Sequence, residues 1–435
     1  MAYGVKFIGY CREGDVKIQR CKGSRDLSPG DMRRFRHIEE TFRDCCLKAG
    51  YEEARTPTVE YLHLFTAAGT LTPGTLRRVY SFLDWDGWSG ERVVLRPDGT
   101  IPVARLYIEG MESTALAKLF YIANVFMFEE TGAESRERWQ CGAELIGAGS
   151  ALADVELITL AREVLSKLRI GTVELRLSHV GLIRTLLEEL GLSRSEQIKV
   201  FDQILGGDTA ALARIKPKSP ELGRVMSQLL DLKGKSSGFL HNFKALFNHE
   251  LPRLETHVDD FIEVVSLLDT LGYDYHIDIT AGTGFEYYTG MTFQLFLNGE
   301  KIGGGGRYDA LIPLLGGQNV PASGFALYLD RLMNQLPPEV LSQPLAQRVL
   351  VTFTADESRA LKPGFGIVSE LREAGYIAEL DLGTRESADF GWALEVGPDR
   401  FVLTDRLGQK RHEVQSTTEV LALLEGKGAD KAGAA

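Results

Sequence analysis

The stretch Asp278–Arg331, DITAGTGFEYYTGMTFQLFLNGEKIGGGGRYDALIPLLGGQNVPASGFALYLDR, most constrains the folds open to this chain. It opens on alternating apolar and polar residues, the pattern of a strand with one buried face, and the pair Tyr287-Tyr288 sits where that strand should end. A second strand is expected over Met291–Leu297, followed by Asn298-Gly299, a hairpin turn signal. Four glycines, Gly303–Gly306, lead to Arg307-Tyr308-Asp309 and a helix, and the apolar run Gly324–Leu329 ends on Asp330-Arg331. The expectation is an antiparallel sheet with a pocket on one face. Glycine lets a ligand approach the backbone closely, and tyrosine supplies a flat wall with a polar tip. By themselves, the same residues fit a bulge and two core side chains.

The chain has 435 residues, enough for two or three domains. Its formal charge of −11 argues against broad, non-specific nucleic-acid binding. The five cysteines form no CxxC pair, and Cys45-Cys46 fall in a helical stretch as expected buried thiols. This pattern points to a reducing, cytoplasmic setting and no structural zinc. The eight histidines are scattered, without HExxH spacing, and no run of eighteen apolar residues predicts a membrane span.

Ser28 is the expected N-cap of a helix over Met32–Ala49, with Pro29 in its first turn and Gly50 at its end. Tyr51–Phe65 reads as an extended segment broken at Pro57. Strands are expected at Tyr80–Asp84 and Arg92–Leu95. Asp98 and Thr100 then stand at the start of a helix over Ile101–Glu109, placed to cap it or to meet a ligand. Leu119–Phe128 and Trp139–Gly147 read as an antiparallel pair around a charged loop. Gln140 and Glu144 are an even number of residues apart and so share a face, either a pocket floor or a solvent-facing side. Residues 181–271 read as a largely helical insertion. Beyond the linker at Pro337-Pro338, strands and helices alternate as in a compact α/β domain, with Ser387–Glu395 read as helical and residues 426–435 as a flexible tail.

Taken together, KGSRDLSP, GYEEARTPTVEYLHLF, LRPDGT, QCGAELIG with ALADVELI, YYTGMTF, GGGGRYDALI and GFALYLDRL resemble the histidyl-tRNA synthetase superfamily, in family order and over most of residues 20–335. The resemblance implies an α+β class: a class II synthetase-like antiparallel sheet with flanking helices and the insertion (1–336). A small α/β domain like the family's anticodon-binding domain (346–425) would follow. It implies histidine contacts at Asp98, Thr100, Gln140, Glu144, Tyr288 and Tyr308, and a remnant of the ATP site at Arg331. The chemistry is altered: where working members carry Phe-Arg-x-Glu, this chain has Phe126-Met127-Phe128-Glu129, and Thr283 replaces the arginine that opens a second signature. Methionine and threonine supply no charge, and each lost donor to developing charge costs roughly 10²–10³ in rate.

Within the superfamily the details are most similar to ATP phosphoribosyltransferase regulatory subunits, through LRPDGTIPVAR, CGAELIG, Tyr-Tyr-Thr-Gly and PASGFALYLDRL. That implies a non-catalytic, histidine-sensing homodimer. It would associate through residues 32–65 and partner a short-form ATP phosphoribosyltransferase catalytic subunit, with no cofactor, no catalytic residue, no tRNA and no membrane. Those subunits usually lack the C-terminal domain, whereas this chain continues for about a hundred residues after the core. A paralogue with another amino-acid or nucleic-acid role, and an active histidine–tRNA ligase, stay open beside this reading.

Overall fold

The computed structural model describes residues 19–69, 76–85, 90–128, 135–193, 196–197, 199–200, 203, 211, 214–215, 220–230, 233–247, 252–279, 288–337, 347–354, 357–383, 389–397, 400–406 and 408–426. The chain divides into two units, Met1–Pro337 and Pro338–Ala435.

The first unit begins with α1 (Pro29–Lys48), β1 (Glu52–Glu53), β2 (Val59–Tyr61), α2 (Leu62–Ala67), β3 (Ser81–Trp85), β4 (Gly90–Leu95) and α3 (Thr100–Gly110). It continues through β5 (Ala117–Phe126), β6 (Glu137–Ile146), α4 (Ala151–Lys167), β7 (Glu174–His179), α5 (Val180–Glu189), α6 (Pro220–Leu230), β8 (Lys233–Gly234), α7 (Ser237–Phe247) and α8 (Pro252–Thr270). It ends with β9 (His276–Asp278), β10 (Met291–Leu297), β11 (Glu300–Arg307), α9 (Leu311–Leu314), β12 (Ala322–Tyr328) and α10 (Leu329–Gln335). Nine strands form one sheet in the order β1-β5-β6-β12-β11-β10-β7-β9-β8. Its centre, from β5 to β7, is antiparallel throughout, and only the β1–β5 and β7–β9 pairs are parallel. A small sheet, β2-β4-β3, stands apart.

Ser28 caps α1 through a capping box with Asp31, satisfying two otherwise orphaned amides. Its apolar face buries Phe35, Ile38, Phe42, Cys45 and Cys46. Tyr51–Phe65 is not extended to its end: Leu62 onward turns into α2, because Leu64 and Phe65 must both enter one core with Ile101 and Tyr308. Period-two alternation would place only one of that adjacent pair inside. The helices α5 and α8, at either end of the 181–271 stretch, pack on the core, with α8 lying against α4.

Asn298 and Gly299 both take positive φ, 51° and 80°, as the expected hairpin requires. The pairing of β10 with β11 shifts register between Leu295 and Phe296, just before the glycine run. The run itself is demanded by the strands on either side. A Cβ on Gly303 or Gly305 would lie 2.7 or 2.1 Å from a carbonyl oxygen of β12. One on Gly304 or Gly306 would lie 2.5 Å from a carbonyl oxygen of β10.

The second unit carries β13 (Arg348–Phe353), α11 (Glu357–Glu373), β14 (Ile377–Leu380), β15 (Trp392–Val396), β16 (Phe401–Asp405), β17 (Lys410–Val414) and α12 (Thr417–Leu424). Its sheet runs β14-β13-β15-β16-β17. Of the segment 387–395 read as helix from the sequence, residues 387–388 lie outside the described residues and residues 392–395 belong instead to the central strand β15. Leu394 and Val396 enter the core there, and the strand pairs on both sides, so ladder bonds override the local pattern.

Gly305→Ala should lower stability by about 3 kcal/mol or more in chemical denaturation, since backbone blocks the new methyl. Gly110→Ala, with open space around it, should change stability by less than about 0.5 kcal/mol.

Candidate amino-acid site and adjoining cavity

The β6 register places Gln140 opposite Tyr328 and Glu144 opposite Gly324. Gly324 is required there: a Cβ would fall 1.8 Å from Glu144 Oε2. Into this gap Tyr308 donates its hydroxyl proton to Glu144 Oε2. Both side chains are almost completely buried, at 1 % exposure each. Asp98 Oδ1 accepts from the Ile101 amide at 3.0 Å and so anchors the start of α3, while Thr100 lies buried in the first turn. Tyr288 packs 6.4 Å from Tyr308, ring centroid to centroid. Five of the six expected histidine contacts, Asp98, Thr100, Glu144, Tyr288 and Tyr308, therefore form one cluster.

A sixth member was not legible as such in the sequence. The Tyr121 ring lies between Gly99 and Gly142, where added Cβ atoms would come within 2.3 and 2.2 Å of it. In the apolar run LFYIANVF nothing separates this tyrosine from a core residue. The Tyr121 hydroxyl and Glu144 Oε1 are buried without a hydrogen-bond partner. Buried polar groups are rarely left unpaired, so these two atoms leave hydrogen-bonding capacity at the centre of the cluster.

Burial pushes the Glu144 carboxyl up to about 8, against the opposing pull of Tyr308, Thr100 and Tyr121. Burial raises Asp98 as well, although the amides of residues 99–101 draw it back. A cationic group placed between them would favour ionisation of both.

Gln140 lies farther along the same face and lines a cavity of about 670 Å³ with Met127 and Arg331, its Oε1 buried and unpaired. Arg331 donates to the Lys301 carbonyl at 2.5 Å and lies 5.3 Å from the Tyr328 ring centroid. One wall is tied together by Asp330, which accepts from Arg25 and from the Trp139 amide. The lining carries Arg25, Arg138, Lys301 and Arg331 against Glu300 and Asp330, a formal excess of two positive charges. Arg138 and Lys301 were missed in the sequence because neither falls in a family signature. Met127 brings no charge, as expected, while Thr283 and Tyr287 lie outside the described residues. Arg96, in the LRPDGT motif, is structural: it is buried and donates to Asn124 O and Thr56 O, each at 2.8 Å.

The histidyl-tRNA synthetase family model matches residues 23–332. The chain belongs to this family. An ATP phosphoribosyltransferase regulatory subunit of Dehalococcoides mccartyi is 51 % identical over 411 residues, covering 94 % of this chain and 99 % of that one. A histidine–tRNA ligase of Archaeoglobus fulgidus is 33 % identical, covering 93 % and 98 %. Among solved structures, a Bacillus halodurans chain titled ATP phosphoribosyltransferase regulatory subunit/histidyl-tRNA synthetase superposes with TM-score 0.73 at 22 % identity, covering 88 % of this chain and 99 % of that chain. The Nostoc sp. PCC 7120 histidyl-tRNA synthetase gives 0.72 at 20 %, covering 95 % and 99 %. These two likenesses show the class II synthetase-like fold. The Dehalococcoides match leaves about 6 % of this chain uncovered, less than the second unit, so that regulatory subunit also extends into a C-terminal domain.

Among the described residues no helix is long and apolar enough to cross a membrane.

Glu144 sets a pH dependence. Its folded pKa, about 8, lies above its ordinary value of 4.5, so between those limits the folded chain holds more protons than the unfolded one. Stability contributed by the protonated carboxyl is present below pH 4.5 and declines as pH rises towards 8. Glu144→Gln should flatten this decline in denaturation curves taken across that range.

Proposed function

We propose that this chain is the regulatory subunit of an ATP phosphoribosyltransferase, activating a short-form catalytic subunit and binding histidine in the Asp98–Glu144–Tyr308 cluster. The observation that carries the reading is the 51 % identity to a full-length chain of that name. Met127 supports it, since an apolar side chain lines the cavity where the family's activation chemistry needs a cation.

The cluster suits a small polar amino acid. Two carboxyls and two tyrosyl hydroxyls around unpaired acceptors can orient an ammonium and an imidazole through charge-assisted hydrogen bonds. Coupling of that pocket to a partner's active site is what would make the chain a sensor. The small sheet β2-β4-β3 exposes Val59, Tyr61 and Phe82 on one face, at 42 %, 47 % and 46 %, an apolar strip consistent with homodimer formation near residues 32–65. The positively charged cavity favours a second reading, in which nucleotide still binds even though adenylate chemistry is lost.

The deciding experiment combines the untagged chain with a short-form ATP phosphoribosyltransferase catalytic subunit. Co-elution and a rise in phosphoribosyltransferase rate are expected, with no histidine-dependent ATP–pyrophosphate exchange by the chain alone. Exchange at a rate ordinary for a ligase, or absence of any association, overturns the proposal. Glu144→Ala should weaken histidine binding in calorimetry by about 2 kcal/mol or more, the scale of a hydrogen bond to a charged group, with circular dichroism unchanged.

A further inference from the structure

A second cavity, of about 330 Å³, lies where the C-terminal end of β7 meets α8. His179 ends β7, and His257 and Asp260 stand three residues apart on α8, so they share one helix face. Each of the three offers a ligand atom, and these atoms lie within 4.8 Å of one another. The imidazole rings are 5.3 Å apart between centroids. Gly181 makes the approach possible: a Cβ there would come within 2.7 Å of His257 Nδ1 and 2.9 Å of His179 Cε1.

Two buried polar atoms in this cavity have no partner. His179 is 2 % exposed and its Nδ1 makes no hydrogen bond. Asp154, 4 % exposed, pairs with Arg307 through Oδ2 at 2.8 Å, yet its Oδ1 is likewise unpaired. The cavity is lined by Asp154, Asp260, Glu263 and Asp309 against Arg307, a formal excess of three negative charges. That field suits a cation, and the unpaired imidazole nitrogen supplies what a hard-oxygen site lacks. Two imidazoles and a carboxylate are a recurrent donor set for zinc-like divalent ions, with a position left for water. In a tetrahedral shell with bonds of about 2.0–2.1 Å the donors stand about 3.3 Å apart. The exposed Asp260 and half-buried His257 side chains can close that difference by rotation.

We propose that His179, His257 and Asp260 bind one divalent transition-metal ion of zinc type. The ion pins α8, the last helix of the 181–271 stretch, to the end of β7. Asp154 Oδ1 offers an acceptor in the same cavity for a water on the ion. The proposal stands on these side chains and is independent of the regulatory reading.

The test uses the untagged full-length chain, stripped with chelator and titrated with Zn²⁺ by calorimetry, with Co²⁺ as a spectroscopic probe. One saturable Zn²⁺ site per chain, visible Co²⁺ ligand-field bands and a rise in thermal midpoint with Zn²⁺ are expected. His257→Gln and Asp260→Asn, both at positions open enough to keep the fold, should each weaken binding by at least about tenfold, a loss seen even for outer-sphere partners. Glu263→Gln, on the cavity wall but outside the donor set, should leave affinity within about threefold. Absence of a saturable site in the wild-type chain, or equal affinity in the His257→Gln and Asp260→Asn variants, overturns the proposal.

Discussion

The centre of the first unit is arranged around one constraint: the carboxyl group of Glu144 lies away from water. A carboxylate removed from solvent is costly unless it is protonated or met by donors. Here the chain does both: burial holds the proton on at neutral pH, and Tyr308 is aimed at Oε2. Room for this arrangement comes from backbone without side chains. Gly324 opens the space opposite the carboxyl, and Gly99 and Gly142 clear both sides of Tyr121. The cluster is therefore also part of the core: Tyr308 packs with Phe65, Ile101 and Ile312 while its hydroxyl serves the polar centre.

Features with a local cause were the ones open to reading from sequence. The Ser28 cap, the Asn298-Gly299 turn and the strand Met291–Leu297 depend on neighbours a few residues away, and they stand where those neighbours place them. The even spacing of Gln140 and Glu144 likewise put both on one face. What escaped was set by distant partners. Leu62–Phe65 became helical to bring two adjacent apolar residues into one core, and Trp392–Val396 became a strand because strands on both sides offered ladder bonds. Tyr121 hides in an apolar run, since its role depends on two glycines, one twenty-two residues before it and one twenty-one after. For the glycine run Gly303–Gly306 the sequence left two causes open, a ligand's approach or a bulge, and a register shift does lie beside the run. Neighbouring strands crowd it, and no ligand contact is needed to explain it.

One short segment serves two places at once. Tyr308 belongs to the cluster around Glu144, while Arg307 and Asp309 on either side line the smaller cavity with His179 and His257. A shift of this segment would be felt in both. Thr289 reinforces the link: its hydroxyl accepts from the Asp309 amide at 3.0 Å, and its own amide donates to Arg307 O at 2.8 Å.

The strand order has a consequence for synthesis. The middle of the large sheet places β6 beside β12, and β12 beside β11, although β6 ends at residue 146 and β12 begins at residue 322. Glu144 thus waits for Gly324, and Tyr121 for the surroundings that Tyr308 completes. A nascent chain leaving the ribosome exposes the β5–β6 hairpin, with its buried-to-be carboxyl and apolar strand, long before the partner strand exists. Such non-local pairing slows folding and leaves unpaired edges open meanwhile. The helices encoded between residues 151 and 270 emerge during that delay, and α4 can already pack on α1, whereas its contacts with β12 must wait for the later strand.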